Sequence, residues 1–174
     1  MSLQQTLASL VRDVPDFPKP GVVFKDITPL LQNGGAFSAF SQHLADRYAD
    51  QAVTQIVGIE SRGFIFGAGL ATRMGLGLTL VRKRGKLPRP TSKQEYTLEY
   101  GTDELHIHSD ALGARDRVVI VDDVLATGGT AAATIELVRS TGATVVESAF
   151  LMELCFLEGR ARLPEELVYS VLQY

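Results

Sequence analysis

Four consecutive apolar, β-branched residues, Val118-Val119-Ile120-Val121, run without interruption into two adjacent carboxylates, Asp122 and Asp123. An unbroken run of this kind suits a strand buried on both faces, as in a parallel sheet covered by helices on each side. Val124-Leu125-Ala126 then leads to Thr127-Gly128-Gly129-Thr130, a turn that opens a helix expected over residues 127–140. A strand–turn–helix unit of this composition points to an α/β fold, with ligands expected beyond the carboxyl end of the strand.

The rest of the chain alternates in the same way. Residues 3–12 are expected to form a short helix. Pro15, Pro18 and Pro20 fix φ and remove donors, so 14–21 should be an extended, rigid loop. A short extended piece comes next at Val22-Val23-Phe24, and a helix entrance at Asp26-Ile27-Thr28-Pro29. Phe37, Phe40, Leu44 and Tyr48 recur at helical spacing and predict an amphipathic helix over about 36–50. Buried strands are expected at Val53–Ile59, Leu78–Val81, Arg117–Val121, Thr144–Leu151 and Leu167–Leu172, with a helix at Phe64–Met74. Residues 82–93 read as an exposed loop, and Gln94–Tyr100 with Glu104–His108 as a hairpin projecting from the main sheet. The expectation is one domain spanning 1–174, with a central, mostly parallel twisted sheet flanked by helices.

The chemistry of the 118–130 segment is specific. Two glycines let backbone N–H groups converge, threonine hydroxyls add donors, and a helix N-terminus favours an anion. The same turn could also be merely tight, with the acids capping it. Vicinal acids would repel a phosphate, so something neutral or cationic must stand between: ribose hydroxyls or a metal ion. A nucleotide P-loop is excluded, because the glycine it needs five residues before Gly85-Lys86 is Leu80.

Charge adds a second clue. The net charge is −3, yet Arg82, Lys83, Arg84, Lys86, Arg89 and Lys93 form six bases with no acid among them, leaving 11 basic against 20 acidic residues elsewhere. A concentrated basic stretch on an acidic body fits a local anion site rather than a nucleic-acid surface. One cysteine cannot form an intrachain disulfide, and no Cys/His framework has zinc spacing, so a reducing cytoplasmic setting is expected. Met1–Gln5 has no secretory character, and no apolar run approaches the ~20 residues of a membrane span. Cys155 reads as a small buried hydrophobe, and His43, His106 and His108 show no paired acid or ligand spacing.

Across its 13 residues, Val118 to Thr130 resembles the 5-phosphoribosyl-1-pyrophosphate (PRPP) motif of the type I phosphoribosyltransferases. The resemblance implies that Asp122 and Asp123 approach the ribose hydroxyls, and that Ala126, Thr127, Gly128, Gly129 and Thr130 hold the 5′-phosphate. Further segments resemble the adenine-specific members of that family: Pro15-Asp16-Phe17-Pro18 with Pro20–Ile27, Gly58–Phe64, Val81–Pro88, Tyr96–Gly101 and the ending Ser170–Tyr174. The resemblance implies a purine salvage enzyme that moves the 5-phosphoribosyl group from PRPP to adenine, giving AMP and pyrophosphate. Mg²⁺ is implied, held by pyrophosphate, ribose oxygens and water with no direct protein ligand, as is a homodimer. No nucleic acid or membrane partner is expected.

The resemblance also distributes roles. A hood at about 14–30 places Val23, Phe24 and Lys25 at the base. Lys25 stands where relatives often carry arginine, so a contact through a guanidinium fork is lost while a backbone contact is kept. Glu60, Ser61 and Arg62 lie at a second strand end, where arginine matches phosphate oxygens in a bidentate way and a cis peptide is implied between Glu60 and Ser61. Lys83 joins the pyrophosphate set. Lys86 is implied to reach pyrophosphate in its own subunit, and Arg82 the neighbouring subunit's site. Glu99, in a flexible loop and hairpin at about 82–108, is implied to relay the base proton, with Arg62, Asp122 and Asp123 completing the catalytic set. A phosphoribosyltransferase for another base is the rival enzyme. A PRPP-sensing regulator would need a DNA-reading module for which this length leaves no room.

Overall fold

A computed structural model of the chain describes residues 1–97, 102–164 and 167–174. The chain opens with helix α1 (Leu3–Ala8), then strands β1 (Arg12–Pro15) and β2 (Val23–Asp26), paired antiparallel in a ribbon of their own. Helices α2 (Thr28–Gln32) and α3 (Gly34–Tyr48) come after the ribbon. The main body then runs β3 (Gln55–Ile59), α4 (Gly63–Met74), β4 (Gly77–Lys83), β5 (Thr91–Thr97), β6 (Thr102–His108), β7 (Arg117–Leu125), α5 (Gly129–Ser140), β8 (Thr144–Glu153) and β9 (Val168–Gln173). Two short 3₁₀ turns, Cys155–Leu157 and Gly159–Arg162, separate the last two strands.

Seven strands form one sheet in the order β5-β6-β4-β3-β7-β8-β9, with β4, β3, β7, β8 and β9 parallel and the β5–β6 hairpin antiparallel. Strand β7 shows why its sequence is apolar throughout. Val118 and Ile120 pack into the core beneath α5, whereas Val119 and Val121 pack into the core shared with α1, α3 and α4. Side chains alternate between faces with period two, and both faces here are covered.

Several boundaries differ from the expectation, each for a physical reason. Arg12 to Pro15 is a strand because its backbone pairs with Asp26 to Val23, which no local signal encodes. The basic stretch is only partly a loop: β4 continues through Lys83 and β5 begins at Thr91. The hairpin does not project from the sheet but extends it, since β6 pairs with β4 at Arg82–His106 and Lys83–Leu105. Leu105 and Ile107 are buried on that strand, so the hairpin has an apolar face that the sheet and α5 must cover. Helix α5 starts at Gly129 because Gly128 adopts φ of +80° and cannot continue it backwards. Cys155 is exposed rather than buried. Among the described residues no helix is long and apolar enough to cross a membrane.

Candidate active site

A cavity of about 370 Å³ opens where β3 and β7 end and α5 begins. Glu60, Ser61 and Arg62 form one side, Asp122 to Thr130 the floor and far side, and Lys83, Tyr96, Asp103 and Leu105 a wall contributed by β4, β5 and β6. The peptide between Glu60 and Ser61 is cis.

The floor is strongly acidic. Asp123 is almost wholly buried and accepts a hydrogen bond from Arg62 Nε at 2.5 Å. Asp122 Oδ1 accepts from the Asp123 amide at 2.9 Å. Burial and the neighbouring Asp123 charge push the Asp122 carboxyl well above its ordinary value. Helix α4 starts hard against this strand end, which only glycine permits: a Cβ on Gly63 would stand 2.6 Å from the Val121 carbonyl oxygen and 2.9 Å from Asp122 Oδ1.

The turn after β7 is held from behind. A Cβ on Gly128 would lie 2.3 Å from the Gly159 carbonyl oxygen, and one on Gly159 would lie 2.0 Å from that of Ala126. The two turns therefore touch backbone to backbone. Arg160 anchors the supporting turn: its Nε and Nη2 donate to the Glu153 carboxylate at 3.0 and 2.6 Å, and Nη1 donates to the Val168 carbonyl at 3.1 Å. Ser170 Oγ donates to the same carboxylate at 2.7 Å. The result is a fixed concavity of backbone N–H groups at the N-terminus of a 12-residue helix, a site for an anion.

At the wall, Lys83 Nζ lies 3.0 Å from Asp103, which also accepts from the Tyr96 hydroxyl at 3.2 Å. Glu60 accepts from Arg82 Nε and Nη2 at 3.2 Å each and from the Lys83 amide at 3.0 Å. Burial would push the Glu60 carboxyl up, but these donors outweigh it and hold it low.

A phosphoribosyl transferase domain matches residues 29–172. An adenine phosphoribosyltransferase from Syntrophotalea carbinolica is 56% identical over 170 residues, 98% of this chain and 99% of that protein. The chain belongs to the adenine phosphoribosyltransferase family. The crystal structure of adenine phosphoribosyltransferase from Rhodothermus marinus superposes with a TM-score of 0.93 at 50% identity, covering 99% of this chain and 98% of that one. The Saccharomyces cerevisiae adenine phosphoribosyltransferase, complexed with an imino-altritol bisphosphate and adenine, matches at 42% identity and TM-score 0.91, with 98% of each chain covered.

Within this adenine phosphoribosyltransferase-family chain, Glu60, Ser61, Arg62, Lys83, Asp122, Asp123 and Ala126 to Thr130 are brought together in one cavity. Glu99 lies outside the described residues. Val23, Phe24 and Lys25 do not line the cavity; the β1–β2 ribbon comes nearest at Phe24, whose ring is 5.6 Å from the Arg62 guanidinium and packs edge-on against Phe17. Val23 is half-exposed beside it. The Lys25 ammonium is committed elsewhere, 2.7 Å from Asp13 and 4.0 Å over the Tyr174 ring, so only its backbone is left to face a base.

The basic stretch is less free than its charge implies. Arg82 is chelated by Glu60 and donates to the Lys86 carbonyl at 3.0 Å. Lys83, Arg84, Arg89 and Lys93 each face an acid. Neither Arg82 nor Lys86 lines the cavity. Most partnering acids sit on β6 or just after it, which the sequence places far away. Likewise His106 has an acid partner, Glu104 at 3.1 Å, two residues away on the same strand. Sequence reasoning missed Tyr96, Asp103, Leu105 and Phe150 as lining residues and Gly159 and Arg160 as support. The Glu104–His108 alternation was the one available signal, since it gives β6 a buried face.

Proposed function

We propose that residues 1–174 act as one phosphoribosyltransferase domain that transfers the 5-phosphoribosyl group of PRPP to adenine, releasing AMP and pyrophosphate. The observation that carries this reading is the juxtaposition, in one cavity, of two vicinal carboxylates and a helix-capped anion cradle, with Arg62 opposite them. Asp122 and Asp123 accept the ribose hydroxyls, and Ala126 to Thr130 hold the 5′-phosphate. Arg62, Ser61 and Lys83 face the diphosphate beside Glu60, and Lys86 reaches it from outside the cavity lining.

In the reaction the bond from ribose C1 to the diphosphate oxygen breaks and a bond from C1 to an adenine ring nitrogen forms. Negative charge gathers on the leaving diphosphate, and cations there stabilise it more in the transition state than in the ground state. Glu99 takes the proton that adenine loses. Val23 and Phe24 cover the base, and the backbone at Lys25 reads its edge. The chain supplies positioning and electrostatics and forms no covalent intermediate.

Mg²⁺ belongs to the proposal. Among the described residues no group of three or more His, Cys, Asp or Glu could hold an ion alone. Magnesium keeps much of its hydration, so the donor set fits an ion carried by diphosphate and ribose oxygens, with Asp122 and Asp123 reaching it through hydroxyls and water. When bound, it would neutralise diphosphate charge. A homodimer with Arg82 reaching the neighbouring subunit's site belongs to the proposal on the family resemblance, and it requires Arg82 to leave Glu60, which holds it within this chain. A cytoplasmic setting is proposed on the single cysteine.

Initial rates with PRPP, Mg²⁺ and each of adenine, hypoxanthine, guanine and xanthine test the base assignment. Adenine alone should give a nucleotide at a substantial rate. A higher kcat/KM for any of the other three would replace this reading with the rival phosphoribosyltransferase.

A further inference from the structure

The cavity that is to receive a polyanion carries more acid than base: Glu60, Asp103, Asp122 and Asp123 line it against Arg62 and Lys83. Both cations are already paired to cavity acids, Arg62 to Asp123 at 2.5 Å and Lys83 to Asp103 at 3.0 Å. A diphosphate must therefore take a cation from a resident carboxylate. The two pairs differ in how readily they yield one. Asp123 has a side chain only 5% exposed, and removing its partner would leave a buried charge uncompensated. The Lys83 side chain is 57% exposed and that of Asp103 23%, so their pair is screened and weak, and the lysine stem is free to swing.

Asp103 is also held in place independently of Lys83. Its Oδ1 accepts from the Glu104 amide at 2.9 Å, and its Oδ2 from the Tyr96 hydroxyl at 3.2 Å. Tyr96 lines the same cavity as Thr130 of the anion cradle. The carboxylate thus stays fixed when the ammonium leaves.

We propose that Asp103 is a positioning residue for the diphosphate end of the substrate: it parks the Lys83 ammonium against the cavity wall, and the arriving diphosphate exchanges for it. This sets the affinity for PRPP and pyrophosphate together and leaves that for AMP untouched, because AMP has no second phosphate group in the diphosphate position. The pairing holds the Lys83 ammonium high, chiefly through its hydrogen bond to Asp103, so the parked lysine is fully charged and ready to transfer. The inference rests on the assignment of Lys83 to the diphosphate.

The test is calorimetric titration of the full chain with Mg²⁺-pyrophosphate and, separately, AMP, for wild type, Asp103→Asn, Lys83→Gln and the double variant. Asp103→Asn keeps the shape and the Tyr96 contact, and Asp103→Ser is the second variant should it fold poorly. Releasing the Lys83 ammonium from the carboxylate that parks it should tighten pyrophosphate by about three- to tenfold in Asp103→Asn, with AMP unchanged within twofold. In the Lys83→Gln background the gain should shrink to less than twofold. Unchanged or weaker pyrophosphate binding in Asp103→Asn, an equal shift for AMP, or a gain that persists without Lys83 would each overturn the exchange. If Lys83→Gln itself leaves pyrophosphate affinity unchanged, the assignment of Lys83 to the diphosphate fails instead.

Discussion

Replacing Gly159 with alanine puts a methyl carbon 2.0 Å from the Ala126 carbonyl oxygen and 2.9 Å from the Gly128 nitrogen. Real Cβ atoms essentially never come closer than 3.0 Å, and both obstacles are backbone, so the turn from Ala126 to Gly128 must retreat by about an ångström. Overpacking of this size costs about 1–3 kcal/mol. At roughly 2–4 °C per kcal/mol, Tm should fall by about 2–12 °C. The larger effect is on function, since a 1 Å misplacement of binding groups can cost about a hundredfold. Steady-state kinetics with PRPP varied should show kcat/KM lowered about 10- to 100-fold and AMP binding weakened, while the KM for adenine moves less than threefold. Gly113→Ala is the matched control, because a Cβ there meets nothing within 4 Å. A Gly159→Ala enzyme with kcat/KM for PRPP within twofold of wild type would refute the reasoning that this backbone contact sets the cradle.

Three other substitutions probe separate parts of the account. Arg160→Met leaves the buried Glu153 carboxylate without its bidentate partner; with the arginine side chain 34% exposed, the loss should be about 2–3 kcal/mol, read as a Tm drop of about 4–12 °C that Arg160→Lys partly restores. Asp122→Asn tests the raised carboxyl: such a group adds stability below its ordinary value of 3.8 and loses it as pH rises through the raised one. The asparagine variant should therefore melt higher than wild type at pH 8, with the gap closing toward pH 4, while kcat/KM for PRPP falls about 10- to 100-fold for want of a charged acceptor. Glu99→Leu should lower kcat by about 10²- to 10⁴-fold and leave the KM for PRPP within threefold; an unchanged kcat removes Glu99 from the proton transfer.

The legible part of the site was the part encoded locally. Val118 to Thr130 declares strand, acids and cradle in one continuous stretch, and Glu60 to Gly63 sits at a strand end that the apolar run before it marks. The wall was not legible, because it depends on β6 pairing with β4 across the basic stretch, a long-range choice that brings Tyr96 and Asp103 to the cavity. For the same reason the six bases read as a free cation patch, whereas Lys83, Arg84 and Lys93 find their counter-ions on β6. Gly159 carries no motif at all; its role exists only where two turns touch. Lys25 lay just beyond the extended piece expected at Val22-Val23-Phe24, yet it is on β2, and the acid that claims its side chain, Asp13, sits on the paired strand, so only the fold brings the two together.

The central claim is a balanced transfer, and product stoichiometry tests it most directly. Purified chain incubated with adenine, PRPP and Mg²⁺, then resolved by anion-exchange chromatography, should yield AMP and pyrophosphate in equal amounts at the expense of both substrates. Hydrolysis of PRPP without AMP, or no consumption of adenine, would contradict the account.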